Sequence, residues 1–427
     1  MDRAVLIALI VVAGTLPFER IGGFRAFGFN MRLSQLALAA AWALFLHAWL
    51  LGRARIEWRR PSYLALAGFF AAAGLSLVNA DNLPRSLSVL AFTIFTASLA
   101  VLVPQAVRGG RDIARIRTVI LVSAALVSAF GFWQFAADML GAPLWMTGLR
   151  ETYARAVLGF TRIQSTAAEP LYFADYLLLP IALAGAWLAR GASAKIARGL
   201  TLLLGVMLLD VFLTSSRGGW LGLGVTMAVL YGLERERLHG WKPLLRVAAV
   251  ALASGALGLL LLARFFSPTG QTVPEIFFQH VTNVTGGAAY DDRASTIASA
   301  LDAWRRHPLI GVGFGGYGPS VSPSPFSAPD SGWPIVNNET LELLAETGAI
   351  GLAAFVVFLW TLFREARLAL KRPGTEDAAS SAVRSACLAA LCGMLAQYQT
   401  FSTLYIMHVW FTIGLLLAVS RSEPERA

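Results

Sequence analysis

The chain has 427 residues, of which 56% are apolar and only 14% are charged. A soluble domain carries about a quarter charged residues, so this composition excludes an ordinary soluble enzyme and predicts a polytopic membrane protein. The formal net charge of +10 does not indicate nucleic-acid binding, because the basic residues are dispersed in short stretches between apolar runs.

Apolar runs that cross a hydrocarbon layer of ~30 Å need about 20 residues, and the chain holds about twelve candidates. They lie at residues 4–18, 31–52, 62–79, 86–107, 118–140, 171–189, 199–215, 219–233, 247–263, 340–363, 380–399 and 403–420. The sequence therefore predicts an all-α polytopic membrane protein, a single domain over residues 1–427. No cleavable signal peptide is evident, since no small-residue cleavage pattern follows the first run.

Basic residues concentrate in alternate connections between these runs. With the N-terminus inside, the inside segments hold about 23 of the 35 Lys and Arg residues, in short loops where the positive-inside bias operates. We therefore expect both termini to be cytoplasmic. Two long connections then lie outside, at Gly141–Pro170 and at residues 264–338. The second is longer than joining two helices requires, so we expect it to contain short helices and to carry the site.

Four polar clusters face the same side in this topology. They are residues 159–176 with Arg162 and Glu169, residues 214–224 with Arg217, residues 289–318 with Arg293, and residues 336–348 with Asn337, Asn338, Glu339 and Glu346. We interpret this shared side as the location of the functional site.

Arg217 lies where one predicted helix ends and the next begins, after Ser216 and before Gly218 and Gly219. An arginine at membrane depth is costly unless paired, and its planar set of donors suits phosphate oxygens. We expect the glycines to let the backbone turn tightly and approach a ligand. An anion site is favoured over an interfacial anchor, because an outside arginine opposes the inside bias. Arg293 is open to two interpretations, a second anion clamp or a local salt bridge with the preceding aspartates.

Other polar residues have plain structural interpretations. The glycine run Gly311–Pro319 matches no phosphate-loop spacing, so packing is preferred for it. Asn337 or Asn338 suits the N-cap of the following helix. Glu346 then lies about two turns inside a membrane helix and needs a partner. His408, in an apolar helix, is expected to be a satisfied core residue.

The four clusters, in this order, resemble the O-antigen ligase/polymerase superfamily. These membrane glycosyltransferases include the lipopolysaccharide O-antigen ligases and bacterial polysaccharide polymerases. The segments that look like the family are SSRGGWLGLG, the stretch from Arg293 through HPLIGVG, NNETLELLAETGAIGL, and Arg162 with Glu169-Pro170. The resemblance covers residues 150–360, and the ordered set is more specific than any one motif.

The resemblance implies a glycan donor carried on undecaprenyl pyrophosphate, and an acceptor hydroxyl on lipid A-core or on a polysaccharide. The protein would lie in the bacterial inner membrane, in contact with membrane lipid, with its large loop and its active site on the periplasmic side. Transfer would invert the sugar and use neither cofactor nor metal, and Arg217 and Arg293 would stabilise the leaving pyrophosphate. The expected substrate-binding residues are Arg162, Glu169, Asn337, Asn338, Ser216 and Tyr317.

One position departs from the family. Family ligases place a histidine, the proposed base, where this chain has Asn337, and asparagine cannot accept a proton. Glu339 is then the expected base, with Glu169 next. This departure favours a polymerase, or a ligase for another acceptor, over a lipopolysaccharide ligase. Two other classes stay open: a twelve-helix secondary transporter, which would predict duplicated halves, and a non-catalytic scaffold.

Overall fold

The computed structural model describes residues 3–26, 29–54, 57–236, 249–250, 253–258, 260, 275, 278, 288–329, 332–371 and 378–421. The α-helices with defined bounds in this part are α1 (Arg3–Thr15), α2 (Leu33–Leu50), α3 (Pro61–Ser76), α4 (Leu83–Ala97), α5 (Leu99–Ala106), α6 (Gly110–Met139), α7 (Leu144–Thr147), α8 (Arg155–Leu158), α9 (Pro170–Ala189), α10 (Ala194–Leu213), α11 (Arg217–Glu234), α12 (Ala288–Arg306), α13 (Tyr317–Val321), α14 (Glu339–Leu370), α15 (Ala378–Gln397) and α16 (Met407–Val419). Two short 3-10 helices cover Leu77–Asn79 and Glu151–Tyr153.

Eight spans in the described part of the chain are long and apolar enough to cross a membrane. They are α2, α3 with its 3-10 extension, α4 continued by α5, α6, α9, α10, α14 and α15, while α1 and α16 are apolar but shorter. The prediction of an all-α polytopic membrane protein is confirmed. The count of twelve stays a prediction, and the helix predicted at 247–263 lies partly outside the described residues.

Strands β1 (Phe24–Ala26) and β2 (Phe29–Met31) form a short antiparallel hairpin that the sequence did not predict. The hairpin joins α1 to α2. It is a local turn and leaves the helical architecture unchanged.

Small residues set the spacing of the central helices, because they let helix backbones approach closely. Helix α11 packs against α9 and α15, and α15 also packs against α9. A Cβ on Gly222 would lie 3.0 Å from the carbonyl oxygen of Gly393, and one on Gly393 would lie 2.5 Å from that of Gly222. Helices α11 and α15 therefore touch backbone to backbone.

The connections that the sequence assigns to the outside meet at one end of the bundle, which we call the site end. Hydrogen bonds join these connections in pairs. These bonds run from Arg20 Nη1 to the Gly148 carbonyl (2.6 Å), from Asn79 Nδ2 to the Gly311 carbonyl (2.9 Å), from Arg162 Nε to the Thr214 carbonyl (3.1 Å), and from the Glu339 amide to the Tyr398 carbonyl (2.8 Å).

The connections assigned to the inside meet at the opposite end. Their contacts are Arg60 Nη1 to the Leu417 carbonyl (2.8 Å), the Arg190–Glu234 ion pair (2.6 Å), Arg384 Nη2 to the Val419 carbonyl (2.6 Å) and the Arg421–Glu57 ion pair (3.0 Å). The described connections thus alternate between the two ends as predicted. Which end faces the cytoplasm stays a prediction.

Candidate functional site

Arg217 begins α11 at the site end. Helix α10 ends at Leu213, so only three residues separate the two helices. The Ser216 side chain caps α11, because its Oγ accepts a hydrogen bond from the Gly219 amide at 3.2 Å. Arg217 is therefore the first residue of an 18-residue helix. The positive end of the helix dipole and the guanidinium lie together there, so an anion would be stabilised by both.

Gly218 and Gly219 serve helix packing, and the expectation that they let the backbone approach a ligand stays a prediction. A Cβ on Gly218 would overlap the Thr400 hydroxyl, and one on Gly219 would lie 2.5 Å from the Ala174 Cβ. Both glycines are therefore needed to seat the first turn of α11 against its neighbours.

Arg162 ties the loop before α9 to the turn between α10 and α11. Its Nε donates to the Thr214 carbonyl at 3.1 Å, and its guanidinium lies 5.7 Å from the centre of the Tyr153 ring. The Ile163 amide also bonds to the Leu213 carbonyl at 3.3 Å. Arg162 is thus held beside the start of α11.

Arg162, Arg217 and Arg293 come from three separate segments, and the charge of Arg217 acts on each of the other two. Burial lowers the pKa of Arg162, and the charge of Arg217 lowers it further against the opposing influence of Tyr153 and Glu169. Burial also lowers the pKa of Arg293, with Arg217 again adding to the effect. Arg217 is thus the one of the three whose charge influences both of the others. Such like charges repel unless an anion compensates them.

Glu169, the residue before α9, lies close to this group. Burial raises the pKa of the Glu169 carboxyl, and this outweighs the lowering by Arg150 and Arg162. Arg150 also donates to the Ala168 carbonyl at 3.2 Å. The site end therefore holds a carboxyl group among several arginines.

The start of α14 carries the remaining predicted residues. Asn338 caps the helix, since its Oδ1 accepts from the Leu341 amide at 3.0 Å, and the capping prediction is confirmed for this residue. Asn337 has a left-handed backbone with φ of 56°. Glu339 is 5% exposed, and its Oε2 has no hydrogen-bond partner among the residues described. The Glu339 amide donates to the Tyr398 carbonyl, two residues before the Thr400 that covers Gly218.

The glycine run packs against a break in α14, as the sequence predicted. The helix is interrupted at Gly348, where φ is 65°. Residues 308–313 make backbone hydrogen bonds to α14 on both sides of this break. The two carboxylate oxygens of Glu346 accept from the amides of Gly315 (2.7 Å) and Tyr317 (3.2 Å). Glu346 thereby receives the partners that its position in a membrane helix requires.

Two residues expected to bind substrate are buried instead. Tyr317 is 1% exposed, burial raises its pKa to about 12, and its hydroxyl donates to the Thr296 carbonyl of α12 at 3.3 Å. Ser216 is 4% exposed and its hydroxyl caps α11. These contacts give both side chains a packing or capping role, and their binding of substrate stays a prediction.

Three further arginines lie at the site end that were not predicted as site residues from the sequence. Arg32 forms a 2.7 Å ion pair with Glu19, and Arg85 lies 5.3 Å from the centre of the Trp333 ring. Arg150, described above, is a third. All three lie in or next to connections assigned to the outside. Each of them opposes the inside bias, which is the same signal that marks Arg217 in the sequence.

His408 is a satisfied core residue, as predicted. Its Nε2 lies 2.7 Å from Asp175 Oδ2, and both side chains are buried between α16 and α9.

Comparison with known proteins gives one family. Residues 202–356 match the family model described as O-antigen ligase, and no curated protein matches the chain. The matched range includes Arg217, Arg293 and the start of α14, whereas Arg162 and Glu169 precede it. Residues 202–356 thus carry an O-antigen ligase domain in a multi-pass membrane protein, which supports assigning the chain to the O-antigen ligase/polymerase superfamily.

Proposed function

We propose that the chain transfers a glycan from undecaprenyl pyrophosphate to an acceptor hydroxyl, and that the pyrophosphate is held by Arg162, Arg217 and Arg293. The supporting observation is the position of Arg217 at the first residue of α11, with Arg162 held beside it by the 3.1 Å hydrogen bond to the Thr214 carbonyl. The charge of Arg217 also acts on Arg162 and on Arg293. A leaving pyrophosphate develops negative charge, and preorganised cations in a site shielded from water stabilise that charge strongly. The start of α11 adds the positive end of a helix dipole.

Glu339 is the proposed base. Its Oε2 is buried without a hydrogen-bond partner in the described part of the chain, so this oxygen is available to an acceptor hydroxyl that reaches it. The acceptor hydroxyl would lose its proton to Glu339 as its oxygen attacks the anomeric carbon, and the carbon–oxygen bond to the pyrophosphate would break on the opposite face. Attack from that face inverts the sugar.

In the proposed orientation both termini are cytoplasmic and the site end faces the periplasm, where the lipid-linked glycan meets its acceptor. The acceptor is a growing polysaccharide or lipid A-core. Asn337 in place of the family histidine favours the polysaccharide, and hence a polymerase, as the first alternative to test.

A transfer assay with labelled undecaprenyl-linked glycan and purified protein in lipid nanodiscs tests the proposal. Arg217→Ala should lower transfer by roughly 100-fold or more, since removing one preorganised donor costs about that much. Arg305→Ala is the matched control, because Arg305 is an exposed arginine of α12 that pairs with Asp302.

Three outcomes would contradict the assignment. Unchanged transfer in Arg217→Ala would show that Arg217 does not hold the pyrophosphate. Glycan that crosses the bilayer of reconstituted vesicles without being joined to an acceptor would indicate a transporter. Neither movement nor transfer by the wild-type protein, with all candidate acceptors supplied, would indicate a scaffold.

A further inference from the structure

A basic cavity lies at the end of the bundle opposite the site end. It has a volume of about 1070 Å³ and is bounded by α1, by the connection between α5 and α6, and by the first turns of α6. Four arginines line it, namely Arg3, Arg108, Arg111 and Arg115. The one carboxylate among its lining residues, Asp112, lies 3.8 Å from Arg115, so the cavity carries an excess of positive charge.

One wall of this cavity, formed by α1, is apolar. Leu6, Ile7 and Ile10 of α1 line it, and Ile7 is 60% exposed. A second cavity of about 480 Å³ shares Ile10, Ala114 and Arg115 with the first and continues along the same two helices to Val119. A basic mouth therefore opens into an apolar groove that follows α1 and α6 into the span.

We propose that this groove binds an anionic phospholipid, with its phosphate at the arginines and an acyl chain along α1 and α6. The occupant must be amphiphilic, because free phosphate leaves the apolar groove unused and a lipid without net charge leaves the arginines uncompensated. Basic pockets between membrane helices suit anionic headgroups for this reason. The N-terminus of α6 also lies at the mouth, and the positive end of its helix dipole favours an anion there.

The site is independent of the proposed transfer reaction, since its residues lie at the other end of the molecule. It needs only that this end meets a leaflet containing anionic lipid, which the concentration of basic residues there favours.

Native mass spectrometry of the delipidated full chain, titrated with phosphatidylglycerol, phosphatidylcholine or inorganic phosphate, tests the proposal. The wild-type protein should retain phosphatidylglycerol at least tenfold better than phosphatidylcholine. The combined change Arg3→Gln, Arg108→Gln and Arg111→Gln should weaken retention by roughly 100-fold, at about fivefold for each arginine near an anionic headgroup. The matched control is Arg53→Gln, Arg59→Gln and Arg198→Gln, three exposed arginines of the same end outside the cavity, and it should retain the lipid within twofold of wild type.

A second variant tests the apolar groove without changing any arginine. It also keeps the proposal testable if the triple variant fails to fold. Ala114→Phe would place a ring in the groove, and it should weaken phosphatidylglycerol at least fivefold. Equal retention of the two lipids, equal loss in the control variant, full competition by inorganic phosphate, or unchanged binding in Ala114→Phe would each overturn the proposal.

Discussion

Three non-glycine residues of the described chain have left-handed backbones: Ser165, Ser215 and Asn337. Each lies within a few residues of a proposed site residue, beside Arg162, Arg217 and Glu339 respectively. Such conformations cost on the order of 1–3 kcal/mol and persist only where the surroundings hold them. At Ser165 the surroundings hold the backbone through a hydrogen bond from its amide to Gln134 Oε1, at 2.7 Å. Strain at three separate turns of one site is typical of a functional surface.

At Glu339 the change Glu339→Gln keeps the volume and removes the basic oxygen. We expect it to lower glycan transfer by roughly 100-fold or more, the usual contribution of a general base. Asn337→Ala should cost less than about tenfold, because an amide cannot accept the proton. Initial rates with the labelled donor would measure both. Wild-type rates in Glu339→Gln would exclude Glu339 as the base and leave Glu169 as the next candidate.

Glu169 predicts a pH dependence of stability. Burial raises its pKa in the folded protein, so the folded state holds this proton more tightly than the unfolded chain. The resulting stabilisation is complete below the unfolded pKa and is lost as pH rises through the folded one. Glu169→Gln stays neutral, so its unfolding temperature should rise relative to wild type between pH 4 and pH 8. If the difference in unfolding temperature between Glu169→Gln and wild type stays constant or falls as pH rises, the pKa of Glu169 is not raised by folding.

At the scale of elements, the break in α14 and the glycine run form one unit. Residues 308–313 bond to α14 on both sides of Gly348, and Glu346 holds the amides of Gly315 and Tyr317. This unit fixes the long connection against the helix whose first residue is Glu339. The glycines are thus structural, and they position the start of α14.

Gly311→Ala tests that unit. Gly311 has φ of 73°, and a Cβ there would overlap the backbone of Glu346, so we expect a loss of roughly 3 kcal/mol or more. Gly141→Ala is the matched control, since φ is 82° and nothing lies within 4 Å of the added Cβ. It should cost about 1 kcal/mol, from backbone strain alone. Thermal unfolding in detergent would compare them, and equal losses would show that close packing is unimportant.

At the scale of the whole molecule, the connections alternate between two ends that differ in chemistry. The site end holds the three arginines and the start of α14, while the opposite end holds ion pairs between helix termini. Arg384 also lies at the opposite end, where its buried side chain donates to the carbonyls of Ala369, near the end of α14, and Val419, at the end of α16.

Thiol labelling would establish which end is outside. In a Cys387→Ser, Cys392→Ser background, an impermeant maleimide applied to spheroplasts should label Ser327→Cys, an exposed position at the site end. Ser193→Cys, exposed at the opposite end, should react only after permeabilisation. The reverse pattern would place the arginine site in the cytoplasm and remove the basis for transfer from a periplasmic donor.

The sequence by itself determined the helical membrane class, the approximate bounds of the helices and the alternation of connections, because apolar run length and loop charge act locally. It also identified Arg162, Arg217 and Arg293 as unusual, since an outside arginine can be recognised without knowing its neighbours.

Only the tertiary structure decided which of these residues meet and what each glycine does. The packing of Gly218 and Gly219 depends on Thr400 and Ala174, which are remote in sequence. Only the structure shows that the Tyr317 hydroxyl donates to the Thr296 carbonyl of α12. Burial and close packing are sums over residues far apart in the chain, so a local pattern can mark a residue as special without fixing its partners.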